Sequence, residues 1–161
     1  MKIALTNLKK YNEGELVFEW VDLPCDDFEP IFDSIGHDEY FISDYECEFS
    51  HMHINEYESL SKLNGIAEKL EDLDDYKLKE LQAIIESEYN DIAEALDILE
   101  EECFIFYEAF DLEELAEMFI EDEIFGNIPE NIKRYIDYEK FARDLKYDGY
   151  IETSVGVIIY E

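Results

Sequence analysis

Positive charge is what this sequence lacks most: 12 Lys and Arg stand against 44 Asp and Glu, a formal net charge of -32. Such a field repels polyanions, so nucleic acid, anionic membrane surfaces and acidic substrates are poor direct partners, and basic surfaces are the expected ones. Glycine and proline are also scarce, at 6 and 3. No Gly/Ser linker, low-complexity run or internal repeat breaks the chain. The three cysteines, Cys25, Cys47 and Cys103, form no CxxC pair and no even set, which excludes a disulfide framework and reads as reduced thiols in a cytoplasmic protein. No apolar run is long enough for a signal peptide or a membrane span, so a soluble protein that stays inside the cell is expected.

Apolar material, by contrast, is plentiful. Hydrophobic residues make up 47% and aromatics 15% of the 161 residues, far too much for a solvated acidic tail and enough to bury a core. The charge is spread evenly, at -12, -10 and -10 over residues 1–61, 62–103 and 104–161.

The periodicity changes along the chain. Ile3 and Leu5, then Leu16, Phe18 and Trp20 in "ELVFEWVDLP", then "YFISDYE" alternate with period two and predict short strands, with a turn near Asn12-Glu13-Gly14 and a break at Pro24. From Ser59 the period becomes helical. Leu60, Leu63, Ala67 and Leu70 mark one helix, Leu78, Leu81 and Ile85 a second, and Ile92, Leu96 and Leu99 a third. "CFIFYEAF" reads as a buried strand, and Asp111-x-x-Glu114 as a capping box opening a helix on Leu112, Leu115 and Phe119. Pro129 suits a first helical turn, Asp137 can cap a helix through Leu145 that Gly149 ends, and "YIETS" and "VGVIIY" close the chain as strands. The expected fold is α+β in three small domains: a β-rich N-terminal one (1–60), a central helical one (61–103) and a C-terminal α+β one (104–161). Self-repulsion favours an extended molecule, larger than the radius of gyration of about 15 Å for a compact chain of this length.

Carboxylates gather in rows on the helices. Opposite Ile92, Leu96 and Leu99 stand Glu94, Asp97 and Glu101; opposite Leu112, Leu115, Ala116 and Phe119 stand Glu114, Glu117 and Glu121; the first helix offers Glu68, Asp72 and Asp75. Neighbours three or four apart lie about 5 to 6 Å from each other, and like charges there are mildly destabilising. "DILEEECFIF" goes further, placing Glu100, Glu101 and Glu102 at a helix C-terminus, where backbone carbonyls are already partly negative. Each such charge costs about 0.3 to 1 kcal/mol, with no Lys or Arg nearby in sequence. Any amphipathic helix needs a polar face, but mixed Glu and Lys would solvate it with stabilising pairs; rows of one sign suggest an electrostatic shape. At one charge per about 1.7 Å of duplex axis, the formal charge matches roughly 54 Å of DNA, or about 16 base pairs.

Other constellations carry less. Cys47, His51 and His53 lie close together, but no fourth ligand stands at a recognised spacing, which favours a structural or exposed role. Asp72, Asp74 and Asp75 lack the glycine and closing glutamate of a calcium loop. There is no Gly-rich phosphate loop, HExxH or GxSxG, and among 44 acids any one carboxylate pair is uninformative. No catalysis, cofactor or metal is expected.

Three stretches, "YNEGELVFEWVDLP" from Tyr11, "YFISDYE" from Tyr40 and "IPENIKRYIDYEKFARDL" from Ile128, resemble the ArdA-type antirestriction proteins, and the similarity extends over most of the chain. The resemblance implies an elongated three-domain α+β protein of mobile elements, dimeric through its C-terminal domain. It further implies a mimic of bent B-form DNA that occupies the DNA-binding groove of type I restriction-modification enzymes, chiefly the methyltransferase core. It assigns no role to the His51 cluster and does not rank the acids. Two other readings of the charge are an acidic chaperone or buffer for basic DNA-binding proteins, which needs no fixed geometry, and salt adaptation.

Overall fold

The structure, a computed structural model, describes residues 1–36, 39–49, 53–89 and 91–161. It is α+β and divides into two compact units, Met1–Asp74 and Asp75–Glu161. Each unit contains a three-stranded antiparallel sheet.

The first unit comprises β1 (Lys2–Asn7), α1 (Leu8–Asn12), β2 (Phe18–Asp22), α2 (Glu29–Ile35), β3 (Tyr40–Glu46) and α3 (Leu60–Glu71), with sheet order β2-β1-β3. Central β1 is buried from Ile3 to Asn7. Its register sets Val21 beside Ile3 and Ile42 beside Leu5, an aliphatic face on the side where α2 packs. Asn7 joins the two, donating from Nδ2 to the Ile35 carbonyl at 2.9 Å while its Oδ1 caps α1. Leu16, Phe18 and Trp20, the residues whose alternation marks β2, point the other way and are 67%, 46% and 39% exposed. Period two shows which residues share a face, not which face meets the core. Helices α1 and α2 are absent from the sequence expectation, because five and seven residues span too few turns for a helical period to show.

The second unit comprises α4 (Asp75–Ser87), α5 (Ile92–Glu101), β4 (Phe104–Tyr107), α6 (Leu112–Glu121), α7 (Glu130–Lys133), α8 (Tyr138–Tyr147), β5 (Ile151–Glu152) and β6 (Val157–Tyr160), with sheet order β4-β6-β5. The register puts Phe104, Phe106, Ile158 and Tyr160 on one face. There α4 packs, with Tyr76 edge-on to Phe106 and Ser87 hydrogen-bonded to the Tyr160 hydroxyl at 2.5 Å. The opposite face carries Tyr107 and Val157 into a core made by Leu112, Leu115, Ala116 and Phe119 of α6 and Ala142 and Leu145 of α8. The sheet is thus a middle layer, which explains why β4 and β6 read as apolar runs. Gly156 leads into β6 where a Cβ would stand 2.5 Å from the Tyr107 carbonyl oxygen, so no side chain fits.

The sequence stop and start signals hold well. Asp111 and Asp137, the expected caps, each accept a backbone N–H from the first turn of α6 and α8, Pro129 precedes α7, and Gly149 follows α8 with φ of 99°; Ser59 and Asp91 cap α3 and α5 in the same way.

Candidate partner-binding surface

Helix α5 forms around Ile92, Ala95, Leu96 and Leu99, which are buried, and is capped by Asp91, whose Oδ1 accepts from Ala93 and Glu94 N–H at 2.9 and 3.2 Å. Its polar side presents Glu94, Asp97, Glu100 and Glu101, all exposed. Glu102 is the C-cap and adopts a left-handed conformation, φ 52° and ψ 32°, that glycine takes far more readily. The absence of nearby bases holds only along the chain. The fold brings Lys77 of α4 to this end, its Nζ 3.7 Å from Glu102 and 2.8 Å from Glu80. The hydrogen bond to Glu80, with the charges of Glu80 and Glu102 adding to it and partial burial opposing, holds the Lys77 ammonium above the usual lysine range. Because the Glu102 carboxylate is largely exposed, its contact contributes at most about 1 kcal/mol.

Helix α6 presents Glu114, Glu117 and Glu121, also exposed. Here the first acid serves the fold: Asp111 Oδ1 accepts from Glu114 N–H at 2.8 Å, and the Glu114 carboxylate accepts from the Phe110 N–H. The capping box therefore closes one residue further out than its usual form. Glu152 Oε1 takes the Leu112 N–H at 2.9 Å, satisfying another of the free amides of the first turn.

The third expected row is not a row. Glu68 lies on α3, accepting from Asn64 Nδ2 at 3.1 Å, and Asp72 is the C-cap of α3; Asp75 opens α4 in the other unit. The helical pattern runs on in sequence, but Asp72, Leu73 and Asp74 break it, since aspartate is weak inside a helix and favoured at its start. All eleven candidate carboxylates, these three included, are exposed.

Several bases are held against acids. Lys2 pairs with Asp22, Lys62 with Glu58, Lys79 with Glu108 and Lys133 with Glu130, so their fields are locally offset. The β-rich region offers acids that the helical rows overlook. Register sets Asp22 and Glu46 on either side of Lys2, and Trp20 and Asp44 on either side of Ala4, on the outward face of the sheet. Alternation in "EWVD" and "ISDYE" was the available signal. Among the described residues no three His, Cys, Asp or Glu are placed to hold a metal ion. His51 lies outside the described residues, and the Cys47 thiol is pushed up chiefly by burial.

The stretches carrying the resemblance fall on defined elements: "YFISDYE" is β3, "YNEGELVFEWVDLP" contains β2, and "IPENIKRYIDYEKFARDL" covers α7 and most of α8. The sequence model of the family described as Antirestriction protein (ArdA) matches residues 3–159. The chain belongs to the ArdA antirestriction family. With nearly the whole chain matched, the family's span takes in all but two residues at the outer end of each unit, and it includes all eleven candidate carboxylates. None of the curated proteins compared matches the chain. No helix among the described residues is long and apolar enough to cross a membrane.

Proposed function

We propose that this ArdA protein acts as a decoy for DNA: exposed carboxylates take the place of phosphates and are gripped by the lysines and arginines of a type I restriction-modification enzyme, chiefly its methyltransferase core. The observation that carries the reading is the exposure of Glu100, Glu101 and Glu102 at the end of α5, where their charges oppose the helix dipole. Phosphate contacts dominate the affinity of DNA-binding proteins and hold no sequence information directly. A decoy that copies only the backbone charge therefore serves against enzymes with different recognition sequences. In this reading the protein is a non-catalytic, cytoplasmic homodimer, paired through its C-terminal region and carried by a mobile element.

The test is competition between the protein and a DNA duplex for a purified type I methyltransferase at two salt concentrations. Displacement of DNA that weakens as salt rises is the expected result. Unchanged DNA binding under a large molar excess at low salt rules the reading out. An acidic buffer for basic proteins would compete too, but its strength would follow net charge alone, whatever the position of the charge removed.

A further inference from the structure

In the second unit a cleft of about 400 Å³ lies between α6 and α8. Tyr107, Phe119, Phe125, Phe141 and Tyr150 supply its aromatic walls, and Asp122 and Asp148 stand among them. The rings meet edge to face, at centroid distances of 5.4 Å for Tyr107 and Phe119, 5.9 Å for Phe119 and Tyr150, and 5.5 Å for Phe125 and Phe141. Asp122 caps the C-terminus of α6 and Asp148 that of α8. No Lys, Arg or His is among the described lining residues.

Three features favour positive charge at this one place. Aromatic faces carry the negative part of the ring quadrupole. Helix C-termini present partly negative carbonyls. Two carboxylates then add full charges where the dipoles already disfavour them, as on α5. Phe125, one of the lining rings, is 61% exposed, a large apolar surface left in water. A flat, weakly hydrated cation on an apolar stem satisfies rings and carboxylates together, which describes guanidinium better than ammonium.

We propose that the cleft receives an arginine side chain from a basic protein partner, its guanidinium seated against the rings and between Asp122 and Asp148. This rests on the reading that the partner is a basic, DNA-binding surface, and gives that docking a geometric anchor that rows of exposed acids lack. Burial, reinforced by the neighbouring Tyr150, pushes the Tyr107 hydroxyl up, so the wall beside the cation keeps its proton.

The test is an amide-resolved NMR titration of the full chain with N-acetyl-arginine amide and with its neutral isostere N-acetyl-citrulline amide. The arginine probe is expected to shift the amides of Tyr107, Phe119 and Tyr150 and to bind about tenfold more tightly than citrulline, from one charge-assisted bond and one cation-π contact. Equal binding of the two probes, or an arginine response spread over the acidic helices and missing from the cleft, overturns the proposal. The double variant D122N/D148N should lose about tenfold in arginine affinity, while E13Q/E15Q, with the same change in net charge, should lose less than about twofold; equal losses overturn it. Should D122N/D148N fail to fold, F125L decides, since it keeps bulk, removes a ring face and should weaken the arginine probe severalfold. Arginine binding without DNA competition would retain the cleft and refute the decoy reading, and the converse result would do the opposite.

Discussion

Helices α5 and α6 look alike in sequence: ten residues each, a buried aliphatic stripe and an outward carboxylate row at matching spacing. Their acids stand in opposite relation to the backbone. On α6, Glu113 and Glu114 occupy the first turn, where the dipole favours them and where Glu114 also accepts the Phe110 N–H. On α5, Glu100, Glu101 and Glu102 occupy the last turn, where it does not. Folding alone accounts for the first-turn pair of α6, but not for Glu121 and Asp122 at its far end nor for the three glutamates that close α5. The run on α5 is the longest of these, so it is where a functional account is most easily refuted.

The largest effect is expected from E100K/E101K/E102K. Reversing three carboxylates at a C-terminus changes each from opposing to complementing the dipole, while the change at position 102 exchanges the Lys77 contact for repulsion, so the fold should gain about 1 kcal/mol or less. Competition with DNA should fall by about a hundredfold or more, if each lost contact to a basic groove is worth roughly 1 kcal/mol and each reversal adds repulsion. Denaturant unfolding and the competition assay measure the two halves. A triple reversal of Glu13, Glu15 and Glu29 that weakens competition as much would show that charge alone matters and position does not.

Smaller and of opposite sign is E114A, which strands the Phe110 amide and removes a favourable charge from the first turn of α6. It should cost about 1 kcal/mol, within the range for lost caps, and shift competition by less than about threefold. A large loss of competition with unchanged stability would reverse the roles assigned to the two helices. E102G tests the end of α5 by itself. Glycine relieves the left-handed strain, a gain of about 1 kcal/mol, reduced by the loss of the exposed Lys77 contact. The expected variant is more stable and a severalfold poorer competitor; a less stable one would mean that the contact outweighs the strain.

How much of this was legible in the sequence follows from the range of the forces. Caps are local, and the aspartates before α6 and α8 could be read directly. The helical faces that expose Glu94, Asp97, Glu100 and Glu101 on α5 and Glu114, Glu117 and Glu121 on α6 follow from a period sustained over ten residues. What sequence could not give depended on partners distant in the chain. Lys77 reaches Glu102 across 25 positions, the inward face of β2 is chosen by Ile3 and Leu5, and the aromatic cleft gathers Tyr107, Phe119 and Tyr150 from β4, α6 and the segment before β5. The break between α3 and α4 lies between these cases, since Asp72 and Asp74 mark it but the apolar pattern runs through.

The smallest expected effect concerns alkaline pH, and it probes Lys77, which the fold brings to Glu102 at the end of α5. Lys77 is held above its ordinary range first by Glu80 and then by the two carboxylate charges, so its folded-state proton is bound more tightly than in the unfolded chain. Its contribution is therefore complete below the unfolded lysine value of about 10.4 and is lost as pH rises through the folded value. Tyr76, Tyr107 and Tyr160 are raised mainly by burial and act in the same sense from about pH 10 upward. Unfolding midpoints should stay level with respect to these groups from pH 8 to 9.5 and then decline. In Lys77→Met the decline should be shallower and the starting stability lower, because the pair with buried Glu80 is already gone. An alkaline decline of identical slope in that variant would mean that Lys77 does not stabilise the α4–α5 pair.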